Sequence, residues 1–422
     1  TYGFQISPKL PVGFEKAQAI AFKDEILICG GSNTGQCYSY HTQKKKYRRM
    51  CSYPENVQLN GHCVLQWSDP RINLNTINLL SFGGQPEKKD KYAFKMKYQS
   101  VWGNFNAKSQ WEQCHFQIGD FEDNLVGARG LIGGKDNNLL FITHFPKKIQ
   151  VINLETGSIL NKSTTNVLPV ETYQFGINYH CFVPLTIKND CVTNCFILFC
   201  YNTGLLINFN EHNRTFEYEK LPICPALKDS NFYSFVHHND YIFLLGGKDS
   251  ANNIHKKVWK YSMKYKTWSE CEDTLPIENW DSFAVIDKDN TIHNFGGIDI
   301  NGYVQKKPMH VSMQQLLNVG EKEKQSKLIE EQTQYITNLT HENQALNKKT
   351  NELLTETIKL KQQIETMKVE RPYFIPEISE VPIKIEPYES IPKGWSDIEN
   401  TMQNMENTLQ GWESKTPIYW KT

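Results

Sequence analysis

An all-β fold, a six-bladed β-propeller followed by one long helix, is what this sequence predicts. Three observations predict it. An apolar strand ending in a double glycine returns along the chain as Ile26-Leu27-Ile28-Cys29-Gly30-Gly31, Leu79-Leu80-Ser81-Phe82-Gly83-Gly84, Ile242-Phe243-Leu244-Leu245-Gly246-Gly247 and Ile292-His293-Asn294-Phe295-Gly296-Gly297. Each copy is followed by a further strand-like run, and an aromatic accompanies most of them. After Met313 the aromatics nearly vanish and leucines recur every seven residues. A repeat near fifty residues, built of short strands and turns, is the length of one four-stranded blade.

Composition narrows the reading. The chain has 422 residues, with Lys+Arg 46 and Asp+Glu 46, for a formal net charge of +0. A nucleic-acid surface needs concentrated basic charge, so no nucleic-acid partner is expected. No apolar run reaches membrane-spanning length, so no membrane span is expected. The opening Thr1-Tyr2-Gly3-Phe4 lacks both Met and a signal-peptide pattern. That is expected of a fragment or processed chain and of an intracellular, cytoplasmic protein. The 11 cysteines are odd in number and scattered, without a CxxC pair, as in a reduced protein. Cys191, Cys195 and Cys200 are the tightest group, and their spacing fits no zinc pattern. No metal and no cofactor are expected.

The blades follow in order. Blade one carries Gly30-Gly31, then Tyr38-Ser39-Tyr40, then Tyr47; blade two carries Gly83-Gly84, Tyr92 and Phe94, then Trp111. Blades three and four lack the double glycine. Leu139–Thr143 runs into His144, and Phe196–Phe199 into Cys200-Tyr201, so strand periodicity alone predicts them. Gly133-Gly134 precedes the apolar strand and does not count. Blade five is complete, with Gly246-Gly247, Trp259, Tyr261 and Trp268. Blade six has Gly296-Gly297 and a third strand near His310–Met313, but no fourth. Phe4-Gln5-Ile6 at the N-terminus is expected to supply it, closing the ring without an exposed edge. Leu10-Pro11 then matches the Leu-Pro that follows at 221–222 and 275–276.

These residues resemble the kelch-repeat family. In that family each blade has an inner strand, a second strand ending in the double glycine, a third with an aromatic, and a fourth beginning near a Trp. The resemblance covers residues 1–314. It implies that the mouth of the central channel binds a peptide or protein segment. Aligning the starts of the inner strands places Gln18, His62, Arg129, His180, Ser234 and Ser282 at that mouth. Tyr179, Tyr233, Trp280 and Asp281 are their neighbours, and the partner-binding rim is expected to comprise Gln18, His62, Arg129, His180, Tyr233, Ser234, Asp281 and Ser282. An Arg there suits an acidic partner group, because its fork matches a carboxylate.

No catalytic residues are expected. His62-Cys63 and His180-Cys181 repeat at equivalent positions, but neighbours on a strand point to opposite faces and cannot form a dyad. Some copper radical oxidases share the kelch propeller, yet no motif here picks out their Tyr and His ligands. Lys44-Lys45-Lys46-Tyr47-Arg48-Arg49 resembles a nuclear-localisation run, but a solvated hairpin is the simpler reading.

Residues 315–369 predict a coiled coil. Leu339, Leu346, Leu353, Leu360 and Met367 occupy the d positions; Ile329, Ile336, Asn343, Thr350, Thr357 and Ile364 occupy the a positions. Leu at d with some Ile at a favours a parallel pair, and Asn343 would set its register. The expectation is a homodimer, with a heterodimer or packing back on the propeller as alternatives. Residues 370–422 form a Pro-containing tail. Ile383-Lys384-Ile385-Glu386 fits the short pattern for a ubiquitin-like modifier, and Ser396 to Gly411 predicts a short amphipathic helix. The whole implies a non-enzymatic protein–protein interaction scaffold or adaptor. The alternatives are a galactose-oxidase-like enzyme, or a ubiquitin-ligase substrate adaptor acting through parts outside this sequence.

Overall fold

Six antiparallel sheets form the N-terminal unit of the computed structural model. The structure describes residues 3–67, 75–103, 109–160, 166–170, 176–188, 190–318 and 321–369, with only the backbone described at 225, 318, 321–332 and 367–369. Blade one runs Gln18–Phe22, Glu25–Gly31, Thr34–His41 and Lys46–Ser52. Blade two runs Cys63–Gln66, Thr76–Phe82, Ala93–Gln99 and Glu112–Gln113. Blade four runs Cys181–Ile187, Asp190–Cys200, Thr203–Asn210 and Thr215–Lys220, and blade five Ser234–His238, Tyr241–Leu245, Val258–Ser262 and Thr267–Glu270. Blade six has Trp280–Ile286, Thr291–Ile298 and Met309–Ser312, and its fourth strand is the N-terminal Gln5–Ile6.

The closing strand pairs Gln5 with His310 and Ile6 with Met309. Ser7 N–H then donates to Pro308 O at 2.8 Å, and Leu10 N–H to Lys306 O at 2.9 Å. The expected closure is therefore present. Blade four is regular despite its missing glycines. Blade three has three strands, Asn124–Gly133, Leu139–Phe145 and Lys148–Asn153. Beyond the third strand, the described residues add two isolated bridges, Ile152 to Ile159 and Lys148 to Val167.

The core consists of six apolar clusters, each filled from two successive blades. Leu27 and Cys29 meet Leu79 and Tyr98 between blades one and two. Phe82 meets Leu140 and Ile152 next, and Phe141 meets Phe196 and Phe209 after that. Ile197 and Phe199 meet Ile242 and Tyr261, then Phe243 and Val258 meet Ile292 and Val311. Phe283 and Phe295 close the circle against Ile26 and Ile28. No sheet holds a core of its own; each buries its two faces against its neighbours. The fourth-strand aromatics serve these seams. Trp111 stacks on Tyr53 with centroids 4.7 Å apart, and Trp268 lies 4.8 Å from Phe199 of the preceding blade.

The basic run splits as a hairpin predicts: 42–45 turn, and Lys46 onward forms the exposed fourth strand. After blade six, α1 (Met313–Asn318) places Leu316, 2% exposed, in the last blade's core. Helix α2 (Glu321–Val369) follows, and among its described side chains those of 333–366 are all exposed. Of the heptad positions, Ile336, Leu339, Asn343, Leu346, Leu353, Leu360 and Ile364 are among them. The side chains of Ile329 and Met367 lie outside the described residues, as do the whole tail, Lys384 and the helix expected from Ser396. No described helix is long and apolar enough to cross a membrane.

Candidate functional site: the central channel

The inner strands of all six blades border one cavity of about 300 Å³. Each inner strand has one residue with positive φ just before it or near its start: Lys16 (54°), Gly61 (67°), Gly127 (67°), Tyr179 (49°), Phe232 (57°) and Asp281 (54°). These six residues ring the channel mouth. Several are linked to one another by the backbone, blade to blade. Lys16 N–H donates to Asp281 O at 2.9 Å, Asp281 N–H to Phe232 O at 3.0 Å, and Tyr179 N–H to Gly127 O at 2.8 Å. A left-handed residue that is not glycine carries strain, so the surrounding ring must over-determine it.

The ring's side chains cover the mouth. Tyr179 comes from blade four, yet its hydroxyl donates to Asn60 Oδ1 of blade two at 2.7 Å. Its ring lies over Gly61 and Gly127, where an added Cβ would sit 2.4 Å and 2.8 Å from ring carbons. That is a physical reason for glycine at both places. Phe232 packs 4.7 Å from Tyr179, and Trp280 sits 5.6 Å from Phe232. Lys16 Nζ stands 5.3 Å over the Tyr179 ring, and Lys248 Nζ 4.4 Å over Trp280. The mouth is thus an aromatic belt edged by two ammonium groups.

The eight expected rim residues divide into two sets. Gln18, Arg129, Tyr233, Ser234, Asp281 and Ser282 border the cavity. His62 and His180 do not; both are fully buried and turned towards the preceding blade. His62 Nε2 lies 2.9 Å from Cys29 O, and His180 Nε2 lies 2.6 Å from Thr143 Oγ1. Tyr233 shares this role, donating its hydroxyl to Phe199 O at 2.8 Å. All three contacts fall near the end of a second strand, where the chain leaves its ladder and exposes polar groups that need partners. Register accounts for most of the split. Counted from the positive-φ residue, Gln18, Arg129 and Ser234 are two residues on and border the cavity, whereas His62 and His180 are one on and face the seam, since a one-residue offset reverses the face. Tyr233 and Ser282 are also one on but still border the cavity.

Burial then sets the electrostatics. Desolvation pushes His62 down to about 4, although carbonyls at Leu59 and Cys29 oppose it. Desolvation also lowers His180, and Arg129 adds to the effect. Both rings are neutral seam-fillers near pH 7. Burial raises Asp281 to about 7, with Lys16 as the largest opposing influence. Lys16 Nζ is 3.6 Å from Asp281 Oδ2, an ion pair longer than a hydrogen bond.

Arg129 is the distinctive group. Its Nη1 donates to Ala128 O at 3.0 Å, and its guanidinium lies 5.8 Å from the Phe235 ring centroid. Its Nε is buried without a hydrogen-bond partner. Among the described residues no carboxylate forms an ion pair with it. Burial lowers its pKa, which marks how poorly the charge is solvated. A desolvated guanidinium with free donors, beside aromatic walls, can hold an incoming carboxylate in a two-point contact. Deeper in, Leu65, Leu131, Val183, Val236 and Val285 make the walls apolar. Among the described residues, no group of three or more His, Cys, Asp or Glu is placed to hold a metal ion.

Sequence reasoning missed Lys16, Phe232 and Lys248. The glycines at 61 and 127 signalled the positive-φ position, but the other four residues there share no type.

The model of the Kelch motif family matches residues 231–274, which span blade five. The chain is therefore a six-bladed β-propeller bearing a Kelch motif. No curated protein matches it. The solved structure of YjhT is similar in fold, at 13% identity and a TM-score of 0.52, covering 72% of this chain and 97% of that one. A fungal alcohol oxidase of the AA5 family in complex with copper matches at 12% identity and a TM-score of 0.47, covering 74% and 76%.

Proposed function

We propose that this protein is a non-enzymatic protein-interaction scaffold whose channel mouth takes a partner segment bearing a carboxylate. The observation that carries the reading is Arg129, half-buried at the cavity with a buried, unpartnered Nε and, among the described residues, no carboxylate in an ion pair with it. Burying an arginine unpaired is unfavourable, and a bound carboxylate removes that penalty. Tyr179, Phe232 and Trp280 supply the rigid aromatic contacts that dominate recognition sites. The His residues of the expected rim support the seams and leave contact to Gln18, Arg129, Ser234, Asp281 and Ser282.

Selection from a library of random displayed peptides tests this. The wild-type protein should enrich Asp- and Glu-containing peptides, and R129Q should lose that enrichment. Equal enrichment by both proteins would refute the role of Arg129.

We further infer that the helical segment makes the scaffold a homodimer. The d-position leucines are 40–64% exposed on the described helix, which favours a partner covering them. Light scattering on the whole chain and on a version ending at Asn318, which keeps the buried Leu316, should give a dimer and a monomer. A monomer in both would refute self-association.

A further inference from the structure

Blade one carries three cysteines in a row across its strands. Cys29 on the second strand is directly opposite Cys37 on the third, and Cys37 is directly opposite Cys51 on the fourth. Directly opposed residues of an antiparallel pair have Cβ atoms about 4.5–5.5 Å apart. A disulfide needs about 3.5–4.5 Å, so the strands need close by only about 1 Å. The thiols themselves bond elsewhere: Cys29 donates to Leu27 O at 3.9 Å and Cys37 to Gly35 O at 3.8 Å, so neither donates to a side chain. Trp111 Nε1–H of blade two donates to Cys37 Sγ, at 3.4 Å.

The three thiols differ in access. Cys29 and Cys37 are fully buried between blades one and two, while Cys51 is half-buried beside Met96, with its Sγ 3.8 Å from the Met96 Sδ. An oxidant therefore meets Cys51 first, and Cys37 is the thiol within reach behind it. We propose that Cys37 and Cys51 form a redox modification site, a reversible disulfide clip between the third and fourth strands of blade one.

The chemistry balances with a hydroperoxide as oxidant. The Cys51 sulfur attacks hydrogen peroxide; an S–O bond forms, the O–O bond breaks, and water leaves with the thiol proton. Sulfur is oxidised to the sulfenic acid and peroxide is reduced. The Cys37 sulfur then attacks Cys51; the S–S bond forms, the S–O bond breaks, and the hydroxide leaves as water with the Cys37 thiol proton. A small thiol reverses the clip by exchange.

The test treats the folded full-length protein with hydrogen peroxide, blocks remaining thiols, and maps linked peptides by mass spectrometry without reductant. The expected product joins Cys37 to Cys51 and is lost on reduction. The wild-type map needs no variant that could misfold. C51S should abolish the link and C29S should retain it. Trp111 emission should change on oxidation of the wild type and not of C51S. Exposed Cys191 serves as the internal control for oxidant delivery. Oxidised Cys191 with no link at Cys37, a Cys29–Cys37 link in its place, or a link that forms only in denaturant would each overturn the proposal.

Discussion

Replacing Gly296 by alanine should open the ring where it closes, whereas the same change at Gly302 should not. Both glycines have positive φ, 59° and 79°. Alanine in that region costs about 1–2 kcal/mol at either site. The surroundings then diverge. A Cβ on Gly296 would sit 2.2 Å from Phe14 O, whereas one on Gly302 would meet nothing within 4 Å. Phe14 O accepts the Gly297 N–H at 2.8 Å, a bond that ties blade six to blade one. Relieving the clash breaks that bond, and a buried carbonyl left unpaired costs about 1–3 kcal/mol more. The expected losses are about 2–5 kcal/mol for G296A and about 1–2 kcal/mol for G302A. Urea unfolding followed by tryptophan emission measures both. Equal losses would refute the reasoning, because backbone strain alone would then account for the double glycine.

Three further outcomes follow from the same contacts. Y233F removes the hydroxyl bond to Phe199 O, in a side chain 5% exposed, and should cost about 1–3 kcal/mol in urea unfolding; no loss would mean that water replaces the hydroxyl. His62 is depressed to about 4 when folded, against an ordinary value near 6.5. The unfolded chain then binds the proton first, so stability present above about pH 6.5 is lost as pH falls towards 4, by about 2–3 kcal/mol. H62Q should flatten that decline between pH 7 and 4.5, and an unchanged slope would refute the assignment. Asp281 is raised to about 7, the opposite case. Its contribution is complete below about pH 3.9 and is lost as pH rises through about 7, so D281N should lose less stability than wild type between pH 5 and 8.

Much of the fold was legible in the residues. Double glycines at 30–31, 83–84, 246–247 and 296–297 mark the places where the chain leaves a ladder, because positive φ and close backbone approach are local demands on residue type. The same local logic placed the closing strand at Phe4–Ile6 and predicted blades three and four from apolar periodicity. That blade three has three strands among the described residues was not legible, since pairing depends on a neighbouring edge rather than on the segment itself.

The channel needed the tertiary structure. Its mouth is formed by six residues from six blades, and the positive-φ position accepts Lys16, Gly61, Gly127, Tyr179, Phe232 and Asp281 alike. An offset of one residue along an inner strand can turn a side chain from the cavity to the seam. That is why His62 and His180 read as rim residues and lie instead between blades. Periodicity along a chain decides which segments become strands. Only the ring brings residues more than a hundred positions apart to one opening, as when Tyr179 reaches Asn60, and decides which charge is left without a partner.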